Sequence, residues 1–171
     1  MLVLAIFIEA RFNRGNVMFS ALDISYKTIG LLKDDSALGS DLTPLKLQKL
    51  LFYMQGWYAA NHKERLFSDD IYAWDLGPVV EDVYHYFKTF GSRDLLKQEL
   101  PEHQIIDGDK TDVEADLKDV LKVYGHMSAY ELVARTHEEI VWRKNFKASN
   151  KVIPFEEIRK AFESRLVGAA D

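Results

Sequence analysis

The 171-residue sequence contains no cysteine. Disulfides, thiolate zinc sites and cysteine nucleophiles are thereby excluded, and the chain is compatible with a reducing cytoplasm. No serine stands in a GxSxG elbow, and no glycine-rich loop leads into a helix in the form that cradles phosphate. Internal repeats and low-complexity segments are also absent. The apolar run MLVLAIFI at residues 1–8 is too short to span a bilayer. It has neither the basic region before it nor the cleavage site after it that a signal peptide carries. Residues 1–17 read as an upstream extension, because Met18 immediately precedes the plausible helix start SALDIS. The alternative is an N-terminal strand or helix that packs on the body. Residues 18–171 then form a single domain, long enough to bury a core without metals or disulfides.

Charge is modest and uneven. A net charge of -5 argues against broad nucleic-acid binding. Residues 94–119 hold nine acidic residues against Lys97, Lys110 and Lys118, whereas 135–165 leans basic. Solvated helix faces account for such asymmetry, with a charged partner surface as the sharper alternative. The segments flanking Gly125 have helix-turn-helix spacing. The second of them carries Glu131, Glu138 and Glu139 with Arg135 as its only Lys or Arg, which speaks against direct DNA reading.

The histidines supply no ligand set. His137-Glu138 begins like a zinc-protease motif, but Val141 stands where the second histidine is required. His62, His85, His103 and His126 lie in separate elements. His137 reads as a packed or hydrogen-bonding histidine beside Trp142. No catalytic residue, metal site or cofactor is expected. A hydrolase or DNA-binding regulator with a site assembled from distant residues remains the alternative.

The distinctive content lies in LTPLKLQKLLFYMQGWY at 42–58 and AWDLGPVVEDVY at 73–84. Thr43 is a good N-cap, Pro44 suits the first helical position, and Leu42 with Leu47 has the spacing of a hydrophobic staple. Leu47, Leu50, Leu51, Met54, Trp57 and Tyr58 form one wide apolar stripe, with Leu45, Phe52 and Ala59 on an adjoining face. A helix so widely apolar is central. Lys46, Lys49 and Tyr53 form its remaining, wetter face.

Elsewhere, Ser20 with Asp23, Thr111 with Glu114 and Ser128 with Glu131 are capping boxes that open helices. Alternation over 66–76 predicts a short strand, to be paired with a second at 103–106. Gly77-Pro78 breaks the first strand and lets Pro78 start a helix whose inner face holds Val80, Val83, Tyr84, Phe87 and Phe90, with Gly91 as its C-terminal cap. A segment with Val141, Trp142 and Phe146 follows, and Pro154 opens a last helix with Ile158, Phe162 and Leu166 inward. The fold class is mainly α (α+β): about six to seven helices around a central helix at about 43–61, with a small antiparallel sheet near 66–76 and 103–106.

These motifs resemble the Panacea domain family, also known as SocA-like or GepA phage-associated. LTPLKLQKLLFYMQGWY, then LF at 66–67, then IYAWDLGPVVEDVY at 71–84, match its first two signatures in order and spacing. Thr136, His137, Glu138 and Trp142 match a third. Asp75-Leu76 departs from the basic-aromatic pair common before the glycine. The resemblance covers about residues 20–165. It implies a cytoplasmic antitoxin of a bacterial or prophage toxin–antitoxin module. Such an antitoxin neutralises a cognate protein toxin by direct binding, and in one branch delivers it to an ATP-dependent protease. Toxins of very different kinds are paired with this domain. A homo-oligomer stays open.

The partner surface is expected around the central helix and the Gly77-Pro78 turn, because aromatic and basic anchors dominate such interfaces. The candidates are Lys46, Gln48, Lys49, Tyr53, Trp74, Gly77, Pro78, Tyr84, His137 and Trp142. Lys46, Gln48 and Lys49 are expected to be exposed.

Overall fold

The computed structural model describes residues 18–105 and 113–168, without the side chains of 167 and 168. The extension at 1–17, the Thr111–Glu114 capping box and position 106 therefore lie at least partly outside the described residues. Seven α-helices lie within them: α1 (Ala21–Asp34), α2 (Pro44–His62), α3 (Glu81–Phe87), α4 (Val113–Tyr124), α5 (Ala129–Glu138), α6 (Ile140–Phe146) and α7 (Phe155–Gly168). A three-stranded antiparallel sheet has the order β2-β1-β3, formed by β1 (Ile71–Trp74), β2 (Gly77–Val79) and β3 (Val152–Ile153). The protein is mainly α with a small sheet.

Local signals set the helix starts. Ser20 and Asp23 form a reciprocal capping box at α1, and Ser128 and Glu131 form another at α5. Thr43 Oγ1 accepts from the Lys46 N–H at 3.2 Å, and Pro44 occupies the first turn of α2. Fourteen of the nineteen residues of α2 are buried, which makes it the axis of the fold. It packs against α1, α3, α4, α5, α7 and β2. Leu42 and Leu47, the expected staple, are both fully buried. The helix ends on Lys63 in the left-handed region, at φ 63°.

Two glycines permit close approaches. A Cβ on Gly125, between α4 and α5, would fall 1.8 Å from the Leu38 carbonyl oxygen. A Cβ on Gly56 would fall 2.5 Å from the ring of Phe162, which is itself buried. The α2–α7 contact is therefore set by one missing methyl group.

Four expectations are corrected. Residues 103–105 form no strand: β1 pairs instead with β2, which follows it directly, and with β3. Residues 101–105 are tied down by side chains, through Tyr26 Oη donating to the Pro101 carbonyl at 2.7 Å and His103 Nε2 lying 2.7 Å from Asp23 Oδ1. Pro78 does not start a helix. It lies in β2, at the sheet edge where a strand tolerates the missing N–H, and α3 begins at Glu81 after an N-cap, Val80, that makes no side-chain bond. Tyr84 and Leu166 are not inward, being 41% and 41% exposed, whereas Val83, Phe87, Ile158 and Phe162 are buried as expected.

The Gly56–Phe162 contact yields a prediction. Gly56→Ala overpacks a site walled by a buried ring and should cost about 1–3 kcal/mol. Urea unfolding monitored by circular dichroism checks it.

Candidate partner-binding site

Around its circumference α2 buries five polar side chains, Lys46, Gln48, Lys49, Tyr53 and Gln55. Lys46 and Lys49 are fully buried, Tyr53 is 1% exposed and Gln48 4%. The expected exposure of Lys46, Gln48 and Lys49, and the wetter face assigned to Lys46, Lys49 and Tyr53, are thus corrected. The physical reason is that a buried polar group must find a partner, and these side chains find main-chain or carboxylate oxygens from distant segments. Lys46 Nζ donates to the Gly125 carbonyl at 2.8 Å and to Asp41 Oδ1 at 3.2 Å. Tyr53 Oη donates to Glu139 Oε1 at 3.3 Å, and its ring stacks on Tyr124 with centroids 4.1 Å apart. Arg165 pairs with the other oxygen of Glu139, which joins α7 to this cluster.

Several of the remaining candidates converge on the β1–β2 hairpin and hold it by its main chain. Trp142 Nε1 donates to the Trp74 carbonyl at 3.0 Å. His137 Nε2 donates to the Asp75 carbonyl at 3.1 Å. Lys49 Nζ donates to the Pro78 carbonyl at 2.8 Å. Gln48 clamps Val80, accepting from its N–H at 2.8 Å and donating to its carbonyl at 3.1 Å. Gly77 sits among these groups at φ 98°, and a Cβ there would lie 2.5 Å from Thr136 Oγ1 and 3.0 Å from Lys49 Nζ. Both the backbone conformation and the space require glycine. Gln55 makes the same kind of clamp further along α2, on the main chain of Leu66 and Phe67.

Behind the turn runs a column of stacked groups. His137 stacks on Trp142 at 4.1 Å, Trp142 on Phe146 at 4.8 Å, and Lys151 Nζ lies 4.8 Å from the Phe146 ring centre. In front of the turn lies a groove of about 710 Å³. Its apolar walls come from Leu45 and Pro44 of α2, Trp74 and Val79 of the hairpin, and Leu76 at the hairpin tip. Tyr84 of α3 closes one side, its ring edge-on to Trp74 at 5.0 Å. Leu76 and Tyr84 are 49% and 41% exposed. Lys88 and Lys151 stand on the groove with Asp75, whose carboxylate is 3.9 Å from Lys151 Nζ.

The structure therefore divides the ten candidates. Gln48, Trp74 and Tyr84 line the groove. Lys49, Gly77, Pro78, His137 and Trp142 lie under or behind the turn and fix its shape. Lys46 and Tyr53 belong to other contacts of α2. Sequence reasoning missed Leu45, Leu76, Val79, Lys88 and Lys151 as groove residues. Leu76 alone carried a signal, as an apolar residue in a tight turn. Among the described residues, no cluster of three or more histidine, aspartate or glutamate side chains is placed to hold a metal.

The family model described as "Antitoxin SocA-like, Panacea domain" matches residues 47–143, more than half of the chain. The protein belongs to the SocA-like Panacea family. It is also similar to a curated protein named Antitoxin SocA from Caulobacter vibrioides (strain NA1000 / CB15N), with 30% identity over 114 residues. That alignment covers 63% of this chain and 61% of the relative, so the chain spans less than two thirds of the curated protein it matches. No solved structure matches. The matched span of this Panacea domain contains Gln48, Lys49, His137 and Trp142, the side chains that hold the hairpin. Pro44, Leu45 and Lys151, on the groove, lie outside it.

Burial pushes the Lys49 ammonium down from 10.5 to about 7. Between those values the unfolded chain carries a proton that the folded chain lacks, so this group makes folding more favourable as pH rises through the window. Burial raises the Tyr26, Tyr53 and Tyr58 hydroxyls, which reverses the trend only where tyrosines of the unfolded chain ionise, near pH 10. Unfolding free energy should therefore climb between about pH 7 and pH 9, by up to roughly 1.4 kcal/mol per pH unit. Lys49→Met should remove most of that slope, as read by denaturant titration at each pH. Gln48→Leu leaves the Val80 N–H unpaired, while the Val80 carbonyl keeps the Tyr84 N–H at 3.0 Å, and should cost about 1–3 kcal/mol at any pH.

Proposed function

We propose that this chain is an antitoxin that neutralises a cognate protein toxin by binding it directly, with the hairpin groove as the contact surface. The observation that carries the reading is the open groove itself. In it, two large apolar side chains stand half-exposed, Tyr84 on α3 and Leu76 on a turn whose main chain is bonded from behind. Apolar anchors presented on a rigid support are what a protein interface needs, because little conformational freedom is lost on docking. Membership of the SocA-like family supports the antitoxin role, and the name of the Caulobacter relative is in keeping with it.

The reading is not enzymatic. His137, the histidine of the His-Glu pair, is stacked on Trp142 and donates to the Asp75 carbonyl, so it serves the shape of the turn. No helix among the described residues is long and apolar enough to cross a membrane. The proposal places both proteins in the cytoplasm.

Co-expression with the product of the adjacent gene tests the proposal. The neighbour should arrest growth alone, and this chain should restore growth and co-purify with it. A neighbour that is harmless alone, with nothing co-purifying, would sink the reading. In the same cells the lifetime of the toxin separates simple sequestration from delivery to an ATP-dependent protease, since only delivery shortens it.

A further inference from the structure

The groove also has a charge. Its apolar walls are flanked by the ammonium groups of Lys88 and Lys151. Lys88 is exposed, and among the described residues its hydrogen-bonding neighbour is His85 Nδ1, at 3.5 Å. Among the described residues Asp75 is the single carboxylate lining the groove, and it already faces Lys151 at 3.9 Å. The groove is therefore net positive within a chain whose total charge is -5. At physiological salt, charges more than about 8 Å apart are largely screened, so the local lysines decide what docks here and the total does not.

A smaller cleft lies between α2, α4 and α7. There Asp116, 2.9 Å from His62 Nε2, and Asp119, 2.8 Å from Lys122 Nζ, flank Trp57, Val123 and Leu166 around about 200 Å³. Its carboxylates already have partners within the fold, so it serves as a reference surface without the groove's net positive charge.

We propose that the hairpin groove takes a segment of the partner protein whose apolar side chains are flanked by carboxylates. The apolar residues would cover Leu76 and Tyr84, and the carboxylates would meet Lys88 and Lys151. A basic segment is refused at the same place by two ammonium groups. A small molecule fits less well: ligand pockets enclose most of their ligand, whereas this groove leaves its two anchors half-exposed. The inference rests on the reading that the chain works by binding a protein, and it adds the chemistry of what is bound.

Two synthetic 12-residue peptides with the same leucine, isoleucine and phenylalanine content, one carrying four glutamates and the other four lysines, test it by fluorescence anisotropy. The full chain should prefer the glutamate peptide by about tenfold or more, a difference that shrinks as salt is raised. The double variant Lys88→Glu, Lys151→Glu should lose or invert the preference. The variant with arginine at both positions should keep it, and Val123→Glu in the other cleft should leave it unchanged. Circular dichroism should show all variants folded, because these side chains are at the surface. Equal binding of the two peptides, preference for the lysine peptide, or no measurable binding of either overturns the proposal. So does binding to phosphatidylserine vesicles that the glutamate peptide does not displace. In the co-expression experiment, a complex that forms as well with the double glutamate variant overturns the groove chemistry while the antitoxin reading stands. If the wild-type chain forms no complex, the antitoxin reading fails, and the peptide preference still decides what the groove binds.

Discussion

The set of buried polar side chains on α2 is the constraint on which the rest of the structure depends. A lysine, a glutamine and a second lysine within four residues are costly to remove from water, and each is acceptable only because a fixed main-chain atom receives it. Lys46 requires the Gly125 carbonyl, Lys49 the Pro78 carbonyl, and Gln48 both polar groups of Val80. If one of those segments moved, a buried donor would be stranded. The helix therefore dictates where the α4–α5 turn and the hairpin sit, and with them the groove. Apolar packing alone would hold these elements together without fixing their register to the same degree.

Much of the fold was legible in the sequence, for a local reason. Ser20 with Asp23, Ser128 with Glu131, and Thr43-Pro44 satisfy helix ends within one turn, so each signature is complete in a few residues. The alternation of Ile71 and Ala73 with Tyr72 and Trp74 showed β1, and the wide apolar circumference of α2 showed a central helix. What the sequence hid was non-local. The acceptors of Lys49, Gln48 and Lys46 lie 29, 32 and 79 residues away, and nothing in the helix names them. One cue was available: a helix apolar on nearly every face leaves no wet side for two lysines. The partner strand of β1 was misplaced because β3 has only two residues and no pattern, and because the Gly-Pro pair that reads as a breaker is an edge strand.

The candidate site was legible as a region and not as a surface. The signature residues do gather at the hairpin, but most of them support it from beneath. His137 and Trp142 illustrate the difference: both are large, both are near the turn, and both spend their ring nitrogens on carbonyl groups of that turn. The atoms that line the groove belong in part to less conspicuous residues such as Leu45, Leu76 and Lys88.

The hairpin is held through atoms that every amino acid possesses. Trp142, His137 and Lys49 grasp oxygens of the peptide backbone, and only Gly77 is required for its own identity. The side chains of Asp75 and Leu76 take little part in that anchorage and point their chemistry outward. Architecture and recognition are consequently written in separate letters. If the groove docks the partner as proposed, a mutation at the tip would rewrite whom the molecule meets while the scaffold beneath registers almost no change, which would put new specificities within reach of single substitutions.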